Sequence, residues 1–73
     1  MKKVISTFFC DVHNGSTGWL KEFSIVEDCE TKIKTVMCRI YCIDGVERRL
    51  DYTISEFEYE WKINLGDLIG ANL

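Results

Sequence analysis

Proline is absent from this chain, and a single histidine occurs among its 73 residues. With no proline and no Gly/Ser-rich tract, the sequence holds no linker or low-complexity segment, and no unit repeats. Apolar runs stop after a few residues, which is too short for a bilayer-spanning helix. Met1-Lys2-Lys3 is basic, but Ser6, Thr7 and Asp11 interrupt the apolar run behind it. No small-residue cleavage site follows, so no secretory signal is expected and the expected location is cytoplasmic.

Motifs that carry chemistry are missing too. Residues 13–18, HNGSTG, have the glycines of a phosphate cradle, but no lysine follows and no helix begins after them. Cys10, His13, Cys29, Cys38 and Cys42 supply enough nitrogen and sulfur for a zinc ion, but the spacings are a C-x-x-H and a C-x-x-x-C with no C-x-x-C knuckle. On a strand, Cys38 and Cys42 would stand about 13 Å apart, too far to share a metal or a disulfide. Cys10 and His13 lack the third group that would orient a nucleophile–base pair. The expectation is therefore no catalytic residue, no metal, no cofactor and no enzyme, with the four cysteines kept as reduced thiols.

What is present describes one small domain over residues 1–73. Hydrophobic residues make up 47% of the chain, ordinary for a globular protein. A chain this short buries only about 60% of its unfolded surface, so a deep pocket would consume the core. Twelve acidic residues against nine basic ones give a net charge of -3 and a pI near 5.0. That balance disfavours a general nucleic-acid binder without excluding a local basic face.

Residues 2–12 are rich in β-branched and aromatic side chains and predict a strand, with Val4, Phe8, Cys10 and Val12 on its buried face and the opposite face partly covered. Residues 13–18 form the loop, with His13 at its tip, and residues 19–27 a second strand paired with the first. Residues 33–43 and 46–54 predict a hairpin around Asp44-Gly45. A helix over 29–42, capped by Asp28, is the alternative.

Residues 55–65, SEFEYEWKINL, can be a strand or a helix. Strict alternation favours a strand, but its phase breaks against residues 46–54 where no turn residue stands. A helix explains the junction better: Ser55 and Glu58 fit a capping box, Ile54 can staple to Tyr59, and Gly66 offers a stop. Phe57, Trp61, Leu65 and Leu68 would then share one face. Residues 67–73 form an apolar tail expected to pack on the sheet. The predicted fold is α+β, a four-stranded antiparallel sheet of two hairpins with a short C-terminal helix; the alternative is an all-β five-stranded meander or small barrel. The expected core is Val4, Phe8, Cys10, Phe23, Ile25, Val36, Ile40, Leu50, Ile54, Phe57, Trp61 and Leu65.

Two functional expectations follow. The first is a small interaction protein that binds and modulates a larger host or cognate protein, in the manner of a phage or mobile-element inhibitor of a host nucleic-acid enzyme. Its contact surface would be a sheet edge or the acidic residues Glu56, Glu58, Glu60 and Asp51; on a strand the three glutamates would lie about 7 Å apart along one face. The alternative is a nucleic-acid-binding module on the basic 32–49 hairpin, using Lys34, Arg39, Arg48 and Arg49 beside Tyr41 and Tyr52. Homodimerisation through an edge strand is open to so small a core, and the sequence does not establish it.

Overall fold

The computed structural model describes residues 1–69, with side chains through Asp67. Four strands run β1 (Lys2–Asn14), β2 (Gly18–Asp28), β3 (Lys34–Cys42) and β4 (Glu47–Thr53), followed by α1 (Ile54–Trp61) and the short α2 (Leu65–Ile69). The sheet is antiparallel in the order β1-β2-β3-β4 and does not close, so β1 and β4 are its edges. This is the α+β architecture expected from the sequence, and the barrel alternative is excluded. The packing expected of the tail falls largely outside the described residues.

Each connection has a local cause. Between β1 and β2 the Asn14 carboxamide oxygen accepts from the Ser16 N–H at 2.9 Å, closing a tight turn over residues 15–17. Gly18 follows at φ +136°, where a Cβ would run into the Tyr41 carbonyl oxygen and come within 2.8 Å of Cys42 Cα. His13 lies inside β1 with its ring 4.5 Å from that of Trp19, so it is a strand residue and not a loop tip. Asp28 does cap backbone N–H groups, those of Glu30 and Thr31, but it organises a turn and no helix follows. At the Asp44-Gly45 hairpin, Gly45 takes φ +85° and its N–H donates to the Cys42 carbonyl, the geometry glycine supplies without strain.

Bulges set which residues face the core. Register shifts fall between Val4 and Ser6 and between Phe9 and Val12 in β1, and between Leu20 and Glu22 in β2. Each adds a residue and reverses the alternation beyond it. The shift at Lys21 puts Leu20 on the same face as Phe23 and Ile25, although strict alternation would separate them. The shift at Ile5 turns Val4 outward, where it is 56% exposed; its expected place in the core is corrected for that reason. Leu50 is also largely exposed because it sits on edge strand β4.

α1 lies across one face of this sheet. Leu20, Phe23, Ile25, Val36, Cys38 and Ile40 from the strands close around Phe57, Trp61 and Leu65. The Phe57 ring stands 4.8 Å from Phe23 and 6.2 Å from Tyr52. Phe8, Cys10 and Ile54 are half-buried at the margin; Val26 is also buried, but its register partners are Val4 and Thr35, on the face opposite this cluster. Burying a Phe or Leu side chain stabilises by about 1.5–3 kcal/mol, so this single cluster carries the fold.

The N-cap lies two residues before the expected one. Thr53 is the N-cap: its hydroxyl accepts from the Glu56 N–H at 3.1 Å, and the Glu56 carboxylate accepts from the Thr53 N–H at 3.0 Å. The capping box is thus Thr53–Glu56 and not Ser55–Glu58. The helix ends at Lys62, which takes φ +57°, so the stop precedes Gly66.

Candidate functional site

Two surfaces are candidates, and the first gathers residues singled out in the sequence. The first is a shallow groove of about 350 Å³ between β4 and α1, lined by Asp51, Tyr52, Glu56, Tyr59 and Glu60. Three of the four expected acidic residues meet here. Glu58 does not: it lines a separate hollow with Lys62, Ile63 and Asn64.

The glutamates already have structural partners. Glu56 completes the capping box. Glu58 Oε2 accepts from the Leu65 N–H at 2.9 Å. Glu60 Oε1 accepts from Asn14 Nδ2 at 2.6 Å and from the Thr17 hydroxyl at 3.3 Å, which fastens the end of α1 to the β1–β2 turn. A carboxylate held by such bonds is less available to a partner. Inside the groove wall, burial pushes the Tyr52 phenol upward, partly offset by the Trp61 indole N–H. The Trp61 indole nitrogen is buried and has no hydrogen-bond partner among the described residues.

The basic residues disperse. Arg39 Nε lies 3.0 Å from Glu22 and its Nη1 3.1 Å from Glu47. These two hydrogen bonds, Glu22 first, push the guanidinium still higher. Lys34 is 3.9 Å from Glu27, and Arg48 Nη1 is 2.7 Å from Asp44 on the opposite side of β4 from Arg49. Arg49 alone of the four has no ion pair among the described residues.

The second surface escaped the sequence reading: the face of the sheet opposite α1. Register places His13, Trp19, Tyr41 and Glu47 in one row across it, Phe9, Glu22, Arg39 and Arg49 in the next, and Thr7, Ser24, Met37 and Asp51 in a third. Phe9 is 76% exposed, Tyr41 47% and Trp19 42%. Lys21 Nζ stands 5.5 Å over the Trp19 ring and 2.8 Å from Asp11. No described element packs on this face. The adjacent pairs Phe8-Phe9 and Trp19-Leu20 were the available signal, because neighbours on a strand point to opposite faces. Expecting partial cover over Phe9 hid its meaning.

No family model, curated protein or solved structure matches this chain. Function must be argued from the surfaces themselves.

All four thiols are free. Burial pushes Cys38 up to about 12 and raises Cys10 as well, so these two hold few thiolates at neutral pH, and the thiolate is the nucleophile and metal ligand. Among the described residues no group of three or more His, Cys, Asp or Glu side chains could hold a metal ion.

Proposed function

We propose that this chain is a non-enzymatic protein-binding module that docks a larger protein on the open face of its sheet. The observation that carries this reading is the cluster of Phe9, Trp19, Tyr41 and Met37, exposed together on a face where no described element lies. Aromatic residues and methionine are enriched in protein interfaces, and uncovered apolar patches mark interaction sites. Such a patch gives hot-spot anchors without a deep pocket, which suits so small a core.

The charges favour a protein over a nucleic acid. Arg39 is held between two glutamates and Lys21 is paired with Asp11, so little unsatisfied positive charge faces outward. The net charge of -3 would repel a phosphate backbone at long range. Four unbonded thiols suit a reducing compartment and a cytoplasmic partner.

The test is affinity capture with the wild-type chain beside Phe9→Glu/Tyr41→Glu. Both side chains project from a solvated face, so the variant is expected to keep its fold by circular dichroism. A stoichiometric partner retained by wild type and lost by the variant is the expected result. Equal capture by both, or none by wild type, would sink the reading. If single-stranded oligonucleotides bind instead, with affinity falling steeply with salt and weakened by neutralising Arg48 and Arg49, the nucleic-acid alternative takes its place.

A further inference from the structure

β4 has one neighbour in the sheet, and the direction of its free backbone groups can be derived. The Cys42 N–H donates to the Val46 carbonyl at 3.0 Å. From there the β3–β4 register runs without interruption from Tyr41↔Glu47 to Thr35↔Thr53. Antiparallel ladders alternate bonded and non-bonded pairs, so Arg48, Leu50 and Tyr52 exchange hydrogen bonds with β3. The N–H and C=O groups of Glu47, Arg49 and Asp51 therefore point out of the sheet edge.

The two edges differ. β1 is broken by two register shifts and opens with Lys2-Lys3, devices that discourage strand addition. β4 has neither bulge nor proline. Of its three outer-face charges Glu47 is paired with Arg39, while Arg49 and Asp51 take part in no ion pair or side-chain hydrogen bond among the described residues. Arg49 moreover stands opposite Arg39 in register, a like-charge placement that costs free energy.

We propose that two copies of this chain pair through β4, antiparallel about a two-fold axis at Leu50, to form one continuous eight-stranded sheet. The sequence ERRLDYT complements itself under that operation. Arg49 meets Asp51 of the second copy and Asp51 meets its Arg49, on the same face, and these residues also exchange the outward backbone bonds. Leu50, 37% exposed, meets Leu50. Arg48, paired with Asp44 in its own chain, comes opposite Tyr52 of the second copy, where the cation meets an aromatic ring. Sliding by two residues either way sets Arg49 on Arg49 or Asp51 on Asp51, so the charges select one register. A foreign strand would need an acid and a base at matching positions, which a second copy supplies by symmetry. The contact lies on the edge and leaves the open face free.

Sedimentation equilibrium of the full chain tests this, with circular dichroism confirming that each variant is folded. Wild type is expected to show a monomer–dimer equilibrium. Arg49→Asp and Asp51→Arg each place like charges opposite one another at both pairs and are expected to weaken the dimer roughly tenfold or more. The double variant Arg49→Asp/Asp51→Arg swaps the charges and is expected to restore it. A wild-type chain that stays monomeric into the millimolar range overturns the proposal. So does a dimer that the single reversals leave unchanged, which would move the contact to the open face, where Phe9→Glu would abolish it.

Discussion

Cys38 stands at the centre of the covered face, between Phe23 on one neighbouring strand and Leu50 on the other. Burial first, then the nearby Cys10 and Asp51, pushes its thiol from 9.0 to about 12. The consequence has a definite sign. An unfolded chain releases this proton near pH 9, while the folded chain holds it to about pH 12, so between those values unfolding releases a proton and rising pH favours it. The thiol's contribution is fully present below about pH 9 and lost through that window. Urea midpoints are expected to fall as pH rises from 9, and to fall less steeply in Cys38→Ala, which starts lower because of its cavity. Parallel slopes in the two proteins would refute the assignment. That Cys38 would be an apolar strand residue was legible in the sequence; its full burial was not, because it depends on α1 above it.

At the scale of elements, the β4–α1 junction shows how a local pattern can be read correctly in kind and wrongly in register. A helix beginning near residue 55 was legible from the phase break and from glutamates near the start. Thr53-x-x-Glu56 and Ser55-x-x-Glu58 both fit the capping pattern, however, and sequence alone does not rank them. The end of β4 does: its last register pair is Thr35↔Thr53, so the chain leaves the sheet at Thr53 and the helix starts at Ile54. Thr53→Ala is therefore expected to cost about 0.5–2 kcal/mol, while Ser55→Ala, at an exposed position in the first turn, should stay within about 0.5 kcal/mol. Chemical denaturation of the two single variants checks this, and the reverse ranking would restore the Ser55 cap. The same junction explains the glutamates: Glu56 caps the helix start, Glu58 holds the start of α2 and Glu60 ties down the first turn.

Among the described residues the molecule is a sheet with its main core on one side. Phe57 and Phe9 make this measurable: Phe57→Ala is expected to cost about 3–5 kcal/mol by opening the core, and Phe9→Ala to stay within about 0.5 kcal/mol. A large loss for Phe9→Ala in the purified chain would mean that something covers the open face, which would undercut the docking proposal. With only two short helices among the described residues, α1 and α2, a chain this size covers one sheet face and leaves the other to solvent or to a partner.

The sequence by itself determined the four strands, the Asp44-Gly45 turn, the helical segment and most of the core, because periodicity, turn chemistry and capping act over a few residues. Tertiary structure alone decided the rest. Three bulges changed the facing of Val4 and Leu20, since one extra residue reverses every side chain beyond it. The placement of α1 chose which face became the core. Strand order made β4 an edge and left Arg49 and Asp51 on it without an ion pair among the described residues. Facing and edge both depend on contacts between residues far apart in the chain, and no local pattern encodes them.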